Sequence, residues 1–355
     1  MLLAYVVSAT PGIFLSVDPV LTSLRVLELG LFVAIPLATF AAYGPGVVAL
    51  FRRLVIGSWW VLTAATWLNV ALIPEAVHRI SAPLPWQIES VYPAIAANGV
   101  GTYGVLLATL GLGRLLSLGM AQSARGAAIP LGLGLVTLLA AQYRTGYVAL
   151  LVVLAITPFA VRRRLWILPF LVATGALLAD VGGARGEFTE FFLRGGTWET
   201  AMSLSGRRSW WGQALVVFGE SPLFGKGLLT ASRFEVLVPM GFTMTSTVHS
   251  VWIEALVGTG VIGAGLLFLA ALSALVRGWR EARELGDAVA FGICVVLVVR
   301  SLTGSAFEIA GPLTLAFMAF AMPARTFASG LGGPAKRSGS QWGRVRQVIS
   351  GHGWK

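Results

Sequence analysis

Long apolar runs, cut by short charged connections, dominate this chain. A helix needs about 20 mostly apolar residues to cross the hydrocarbon core of a bilayer. The runs predict membrane helices near residues 1–17, 24–46, 54–74, 99–118, 126–142, 146–161, 165–180, 251–276, 287–305 and 310–324. None shows the alternating pattern of a membrane β-barrel strand. The predicted fold is therefore an all-α integral membrane protein of about ten transmembrane helices. A long extracytoplasmic loop, about 181–250, is expected to carry short amphipathic helices.

Composition agrees with the pattern. Of 355 residues, 56% are hydrophobic and only 12% charged, with a mean hydropathy of +0.81. A soluble domain carries about a quarter charged residues, so this chain has too few to cover a globule and must present surface to lipid. The net charge of +11 points to membrane topology, and nucleic acid is not expected as a partner. Arg52, Arg53, Arg114, Arg125, Arg162–Arg164, Arg277, Arg280 and Arg283 all fall in short connections of one parity, joined by the basic residues after Arg325. The positive-inside rule weighs short loops, which puts these residues and both termini in the cytoplasm. The expected organisation is a polytopic membrane domain, 1–324, in a bacterial plasma membrane, followed by a basic cytoplasmic tail, 325–355, lying against lipid headgroups and disordered. Met1 is not followed by a basic n-region, so no cleaved signal is expected. The single cysteine, Cys294, offers neither a disulfide framework nor a thiolate metal site.

The chemistry is expected on the outer side. Arg144 stands in the hinge Gln142–Gly146, between two apolar helices. There a charge is costly unless paired, although it also suits an arginine snorkelling to headgroups. Residues 203–218 predict an amphipathic helix with Trp211, Leu215 and Phe218 on one face and Ser205 as N-cap. Arg207 and Arg208 then occupy its first turn, where backbone N–H groups already favour an anion; an interfacial anchor fits the same residues. A turn-rich segment, Ser221–Gly227, contains Lys226, and Arg233 follows it. His249 precedes the apolar helix from Val251, and histidine suits proton transfer near neutral pH; a lone histidine is also compatible with a structural role. Arg300 lies inside an apolar helix near its predicted outer end, where ionisable groups are functional by default. No Asp-x-Asp pair and no paired-His or His–Cys spacing suggests a metal site, and no cofactor is expected. Arginine forks can hold a diphosphate and stabilise it as a departing anion.

Four segments, in order, then carry a resemblance. They are Tyr92–Gly99, the hinge Tyr143–Gly146, Ser205-Gly206-Arg207 with Trp211 and Pro222–Gly227, and His249-Ser250 running into Gly260–Gly263. Over roughly residues 90–275 the chain resembles the O-antigen ligase and O-antigen polymerase superfamily of bacterial envelope glycosyltransferases. Ser250 stands where that family usually has Asn, and Gly258 where an acidic residue is common. The resemblance implies an inverting, metal-independent transfer of a glycan from a polyprenyl (undecaprenyl) diphosphate carrier. The acceptor is a glycan or lipid-glycan hydroxyl outside the cytoplasm. It implies Arg144 and Arg207 on the diphosphate and His249 on the acceptor hydroxyl, with Arg208, Lys226, Arg233, Arg300 and Glu254 as substrate-binding candidates. Ligase and polymerase remain equal readings. A transporter or flippase of lipid-linked oligosaccharide is the alternative, disfavoured by nearly charge-free helices. The related peptidoglycan polymerases rely on an outward aspartate, for which only Asp18 and Asp180 are available, neither in a matching motif.

Overall fold

The computed structural model describes residues 1–79, 86–117, 124–161, 206–245 and 247–322. The predicted helix 165–180, the loop up to residue 205 and the tail 325–355 lie outside these residues. Within them the protein is mostly helical, and four helices are long and apolar enough to cross a membrane: α3 (Pro19–Tyr43), α4 (Pro45–Leu72), α5 (Ala97–Leu116) and α9 (Val251–Leu285). Shorter apolar helices are α1 (Leu2–Ser8), α2 (Pro11–Leu15), α6 (Ala124–Ala141), α7 (Arg144–Ala160), α10 (Val289–Thr303) and α11 (Pro312–Ala321). A further helix, α8 (Arg207–Glu220), and a π-helix (Ala231–Leu237) fill the segment before α9.

Three boundaries differ from the prediction for local reasons. The stretch 1–17 breaks into α1 and α2, because Pro11 cannot continue a helix in which its ring meets the carbonyl four residues back. Helix α4 begins at Pro45, directly after Gly44, so Arg52 and Arg53 lie inside a helix and not in a connection. Helix α9 likewise runs on through Arg277, Arg280 and Arg283 to Leu285. The all-α expectation also needs one correction. The segment after α4 forms a two-stranded antiparallel ribbon, β1 (Val77–Arg79) with β2 (Trp86–Ile88), in which Val77 faces Ile88. Gln87 donates to the Ala141 carbonyl (2.7 Å) and Gln142 to that of Trp86 (2.7 Å), tying the ribbon to the hinge between α6 and α7.

Helix α5 is the buried axis of the bundle and packs against α4, α6, α7 and α10. It meets α6 backbone to backbone: a Cβ on Gly134 would lie 2.3 Å from the Ala108 nitrogen, and one on Gly111 2.4 Å from that of Leu131. Small residues permit such approach where burial of apolar surface supplies no driving force between helices.

Helix α9 is broken at Gly260 (φ 67°, ψ −172°). The segment Pro222–Gly227 fills the break. Lys226 and Gly227 donate their N–H groups to the carbonyls of Val257 (2.9 Å) and Gly258 (3.1 Å), and Val261 donates back to Pro222 (2.8 Å). Opened backbone at membrane depth is tolerated only when other protein groups satisfy it. A Cβ at Gly260 would sit 2.2 Å from the Leu223 carbonyl, and one at Gly225 2.4 Å from Gly258 and Thr259, so the glycines of both segments are required by contact with each other.

Candidate active site

The two ends of the bundle differ in what they gather. At one end, Arg52 reaches Glu281 (3.2 Å) and the carbonyls of Ala319 and Met322 (2.9 Å each), while Arg114 donates to the carbonyl of Gly126 (2.9 Å). These are arginines of the predicted cytoplasmic set. The other end brings together the hinge before α7, the start of α8, the approach to α9 and the end of α10.

At that second end Arg300, in the last turn of α10, donates from Nη1 to the hydroxyls of Thr102 and Tyr143 (2.6 Å each) and from Nε to the carbonyl of Ser305 (3.1 Å). Arg207, the first residue of α8, donates to the carbonyl of Thr303 (2.6 Å). The Thr303 hydroxyl meets that of Thr145 (2.8 Å), next to half-buried Arg144 at the start of α7. Neither Arg207 nor Arg300 has a carboxylate at ion-pair distance among the described residues; neutral carbonyls and hydroxyls hold both. Positive charge is thus concentrated there with no carboxylate in direct contact among the described residues.

His249 sits on a short strap leading into α9 and adopts a left-handed conformation (φ 56°), sparsely populated for a residue with a side chain. Its neighbours fix the strap from three sides. The Val248 N–H donates to Glu254 (3.2 Å), the Val248 carbonyl accepts from the Trp211 indole (2.9 Å), and the Thr247 hydroxyl meets that of Ser305 (3.1 Å). The imidazole lies 5.9 Å from the Trp210 ring. Burial, together with the nearby charges of Arg207 and Arg300, pushes the His249 pKa down to about 4. Burial also lowers that of Arg207, with Tyr143 opposing and Arg300 adding to the effect. In solution near neutral pH the imidazole is therefore uncharged and able to accept a proton.

The other nominated residues are distributed around this cluster. Arg208 is exposed beside Arg207. The Lys226 ammonium is engaged by the carboxylates of Glu220 (2.6 Å) and Glu235. Arg233 lines a separate cavity, beyond the strap from Arg300. Glu254 is buried and holds both Val248 and the Ser232 hydroxyl. Several groups in the cluster have no chemical role expected from the sequence: Thr102, Tyr143, Thr303 and Ser305, while Trp211 is expected only on the apolar face of its helix. Tyr143 and Trp211 stand in the recognised segments, so their neighbours pointed to them; Thr102 and Thr303 are ordinary helix residues until the fold joins their helices.

Helix α8 is rotated relative to its predicted face. It buries Trp210, Ala214 and Val217 against Val236, Leu237, Val248 and Val257, leaving Leu215 and Val216 exposed. The π-helix and α9 lie on the Trp210 side, and contact with them outweighs local patterning. Its N-cap is Gly206 in the left-handed region (φ 87°); Ser205 lies outside the described residues.

Three comparisons bear on identity. No curated protein and no solved structure matches the chain. The family model described as O-antigen ligase matches residues 129–268, a span that holds Arg144, Arg207 and His249 and ends before Arg300. That match bears out the resemblance of this membrane protein to the O-antigen ligase and polymerase superfamily, and with it an O-antigen ligase-like, glycosyl-transferring enzyme.

Proposed function

We propose that the protein transfers a glycan from a polyprenyl diphosphate carrier to an acceptor hydroxyl on the extracytoplasmic side, with inversion and without a metal. The observation that carries this reading is the shared cluster of Arg207, Arg300 and His249, in which two arginines lack carboxylate partners among the described residues. Its location, opposite the end where Arg52 and Arg114 converge, supports the outward assignment.

The acceptor oxygen attacks the anomeric carbon from the face opposite the carrier. The bond from that carbon to the carrier phosphate breaks, and its electron pair leaves on the diphosphate. Arg207, Arg300 and Arg144 stabilise that charge as it develops; pre-oriented donors of this kind are worth several kcal/mol, about 10²–10³ in rate for each. The hydroxyl proton passes to His249. The diphosphate's negative charge offsets the two arginines that depress the imidazole, so donor binding makes His249 a stronger base. Arg208, exposed at the first turn of α8, meets the donor at the site's edge. Lys226, within its carboxylate pair, acts by fixing the Pro222–Gly227 segment, and Glu254 by fixing the strap.

The test is to incubate the purified protein in lipid nanodiscs with an undecaprenyl diphosphate-linked glycan and follow product size. A ladder identifies a polymerase and a single addition a ligase. Undiminished transfer by Arg207→Ala or His249→Ala, or transfer that stops with chelator and returns with a divalent metal, refutes the mechanism.

A further inference from the structure

Beyond the strap that carries His249 lies a cavity of about 150 Å3, walled by Arg25 and Glu28 of α3, Thr230 and Arg233 around the π-helix, Thr247 of the strap, and Ala310. At roughly 30 Å3 per water molecule it holds about five waters, a space suited to one sugar ring and not to a chain.

The charges of its wall are uneven. Arg25 is paired with Glu28 (2.8 Å) at a half-exposed position. Arg233 has no carboxylate partner among the described residues; its guanidinium lies 5.4 Å from the Phe234 ring centroid, and its buried Nε makes no hydrogen bond there. A buried donor left unsatisfied is costly, and an incoming acceptor atom would remove that cost. Thr247 forms the partition. Its side chain lines this cavity while its hydroxyl meets Ser305, whose carbonyl holds Arg300 on the other side.

Inverting transfer needs the nucleophile to arrive opposite the leaving group, with the base beside the nucleophile. Through Thr247 and Ser305 the strap carrying His249 links this cavity to the Arg300 side of the cluster. We infer that the cavity is the acceptor subsite, and that it takes a sugar bearing one carboxylate or phosphate, which pairs with Arg233 while ring hydroxyls meet the Arg25–Glu28 pair. This rests on the glycosyl transfer proposed above. A diphosphate is the poorer occupant, because the cavity offers one uncompensated cation where the Arg207–Arg300 cluster offers two.

The experiment uses the full chain in phosphatidylcholine nanodiscs with two membrane-partitioning probes, octyl glucuronide and octyl glucoside, measured by equilibrium binding. The glucuronide is expected to bind saturably and about tenfold more tightly than the glucoside, and Arg233→Gln to remove that preference. Glu28→Gln, a near-isosteric change at a half-exposed position, frees Arg25 and is expected to tighten glucuronide binding severalfold. In the transfer assay, Arg233→Gln raises KM for an anionic acceptor about tenfold and moves KM for the donor less than twofold, whereas Arg207→Gln does the reverse. Equal binding of the two probes, or no response to either variant, overturns the subsite. Displacement of the glucuronide by phosphatidylglycerol in the nanodisc overturns it as well, by making the cavity a lipid headgroup site. Failure of the wild type to transfer glycan would refute the function instead, and the binding measurements would still judge the cavity.

Discussion

Arginine is used in opposite ways at the two ends of this bundle. At the Arg52 end the guanidinium is closed off: a carboxylate from α9 and the carbonyls of Ala319 and Met322, in and just past α11, occupy it, and its side chain and that of Glu281 are each only 13% exposed. At the Arg300 end the guanidinium groups are oriented but not neutralised, since hydroxyls and carbonyls hold Arg300 and Arg207 and no carboxylate stands at ion-pair distance among the described residues. A closed pair contributes to the fold. Two oriented cations near each other, with no carboxylate in contact, cost stability and form a ready receptor for an anion. The same residue type thus serves assembly at one end and, in the proposed function, chemistry at the other, and only the partners distinguish them.

The largest effect that would break this comparison is on activity. Arg207→Ala and His249→Ala should each lower kcat by about two orders of magnitude or more, measured by glycan transfer on equal amounts of folded, membrane-inserted protein. Arg52→Gln should leave turnover per folded molecule unchanged and lower stability by roughly 2 kcal/mol, below the roughly 3–5 for breaking a fully buried pair. Thermal unfolding in nanodiscs checks this, and adding Glu281→Gln should restore part of the loss. Arg207→Gln should do the reverse of Arg52→Gln, holding or raising the unfolding temperature as repulsion from Arg300 is relieved. If both arginine variants destabilise alike, the distinction between the two ends fails.

A finer effect is expected in pH dependence. His249 is held near pH 4, below its ordinary value of 6.5, chiefly by burial and then by Arg207 and Arg300. A depressed histidine contributes stability that is present above its unfolded pKa and lost as pH falls from 6.5 toward 4. The acid limb of kcat/KM for the donor, which reports the free enzyme, should therefore lie near pH 4. In kcat it should lie higher, because bound diphosphate offsets the arginines. Arg207→Gln should move the kcat/KM limb up as well. Coincident limbs in all three profiles would remove the electrostatic link between His249 and the arginines.

The smallest predicted change tests the frame that holds the strap. Glu254→Gln keeps an acceptor for the Val248 N–H, so kcat should fall only severalfold, whereas Glu254→Leu, which removes that acceptor, should approach the His249→Ala level. Similar losses in the two variants would mean that the carboxylate itself is used in the reaction.

Much of this organisation was legible along the chain. Apolar runs of membrane length do not depend on context, so α3, α4, α5 and α9 were visible as spans even where their ends were not. Helix ends are less legible, because a charge in an apolar run reads as a loop. Arg52 remains helical because Glu281, 229 residues away, compensates it, and no local pattern announces that. Arg144, Arg207, Arg300 and His249 were singled out by residue type and motif, but their partners Thr102 and Thr303 were not, since a threonine in an apolar helix carries no signal until another helix presents a guanidinium. Lys226 shows the converse: a cation in a recognised motif proved to be engaged by Glu220 and Glu235.

By itself, the sequence determined the membrane class and the cationic residues of the candidate site, because these follow from composition and residue type. Tertiary structure alone decided which arginines are neutralised, which face α8 buries, and why glycine stands at 225, 258 and 260, where the Pro222–Gly227 segment closes a broken helix. Hydrophobic length is a property of a segment; the partner of a charge or of an opened peptide group is a property of two segments, and it exists only once they meet.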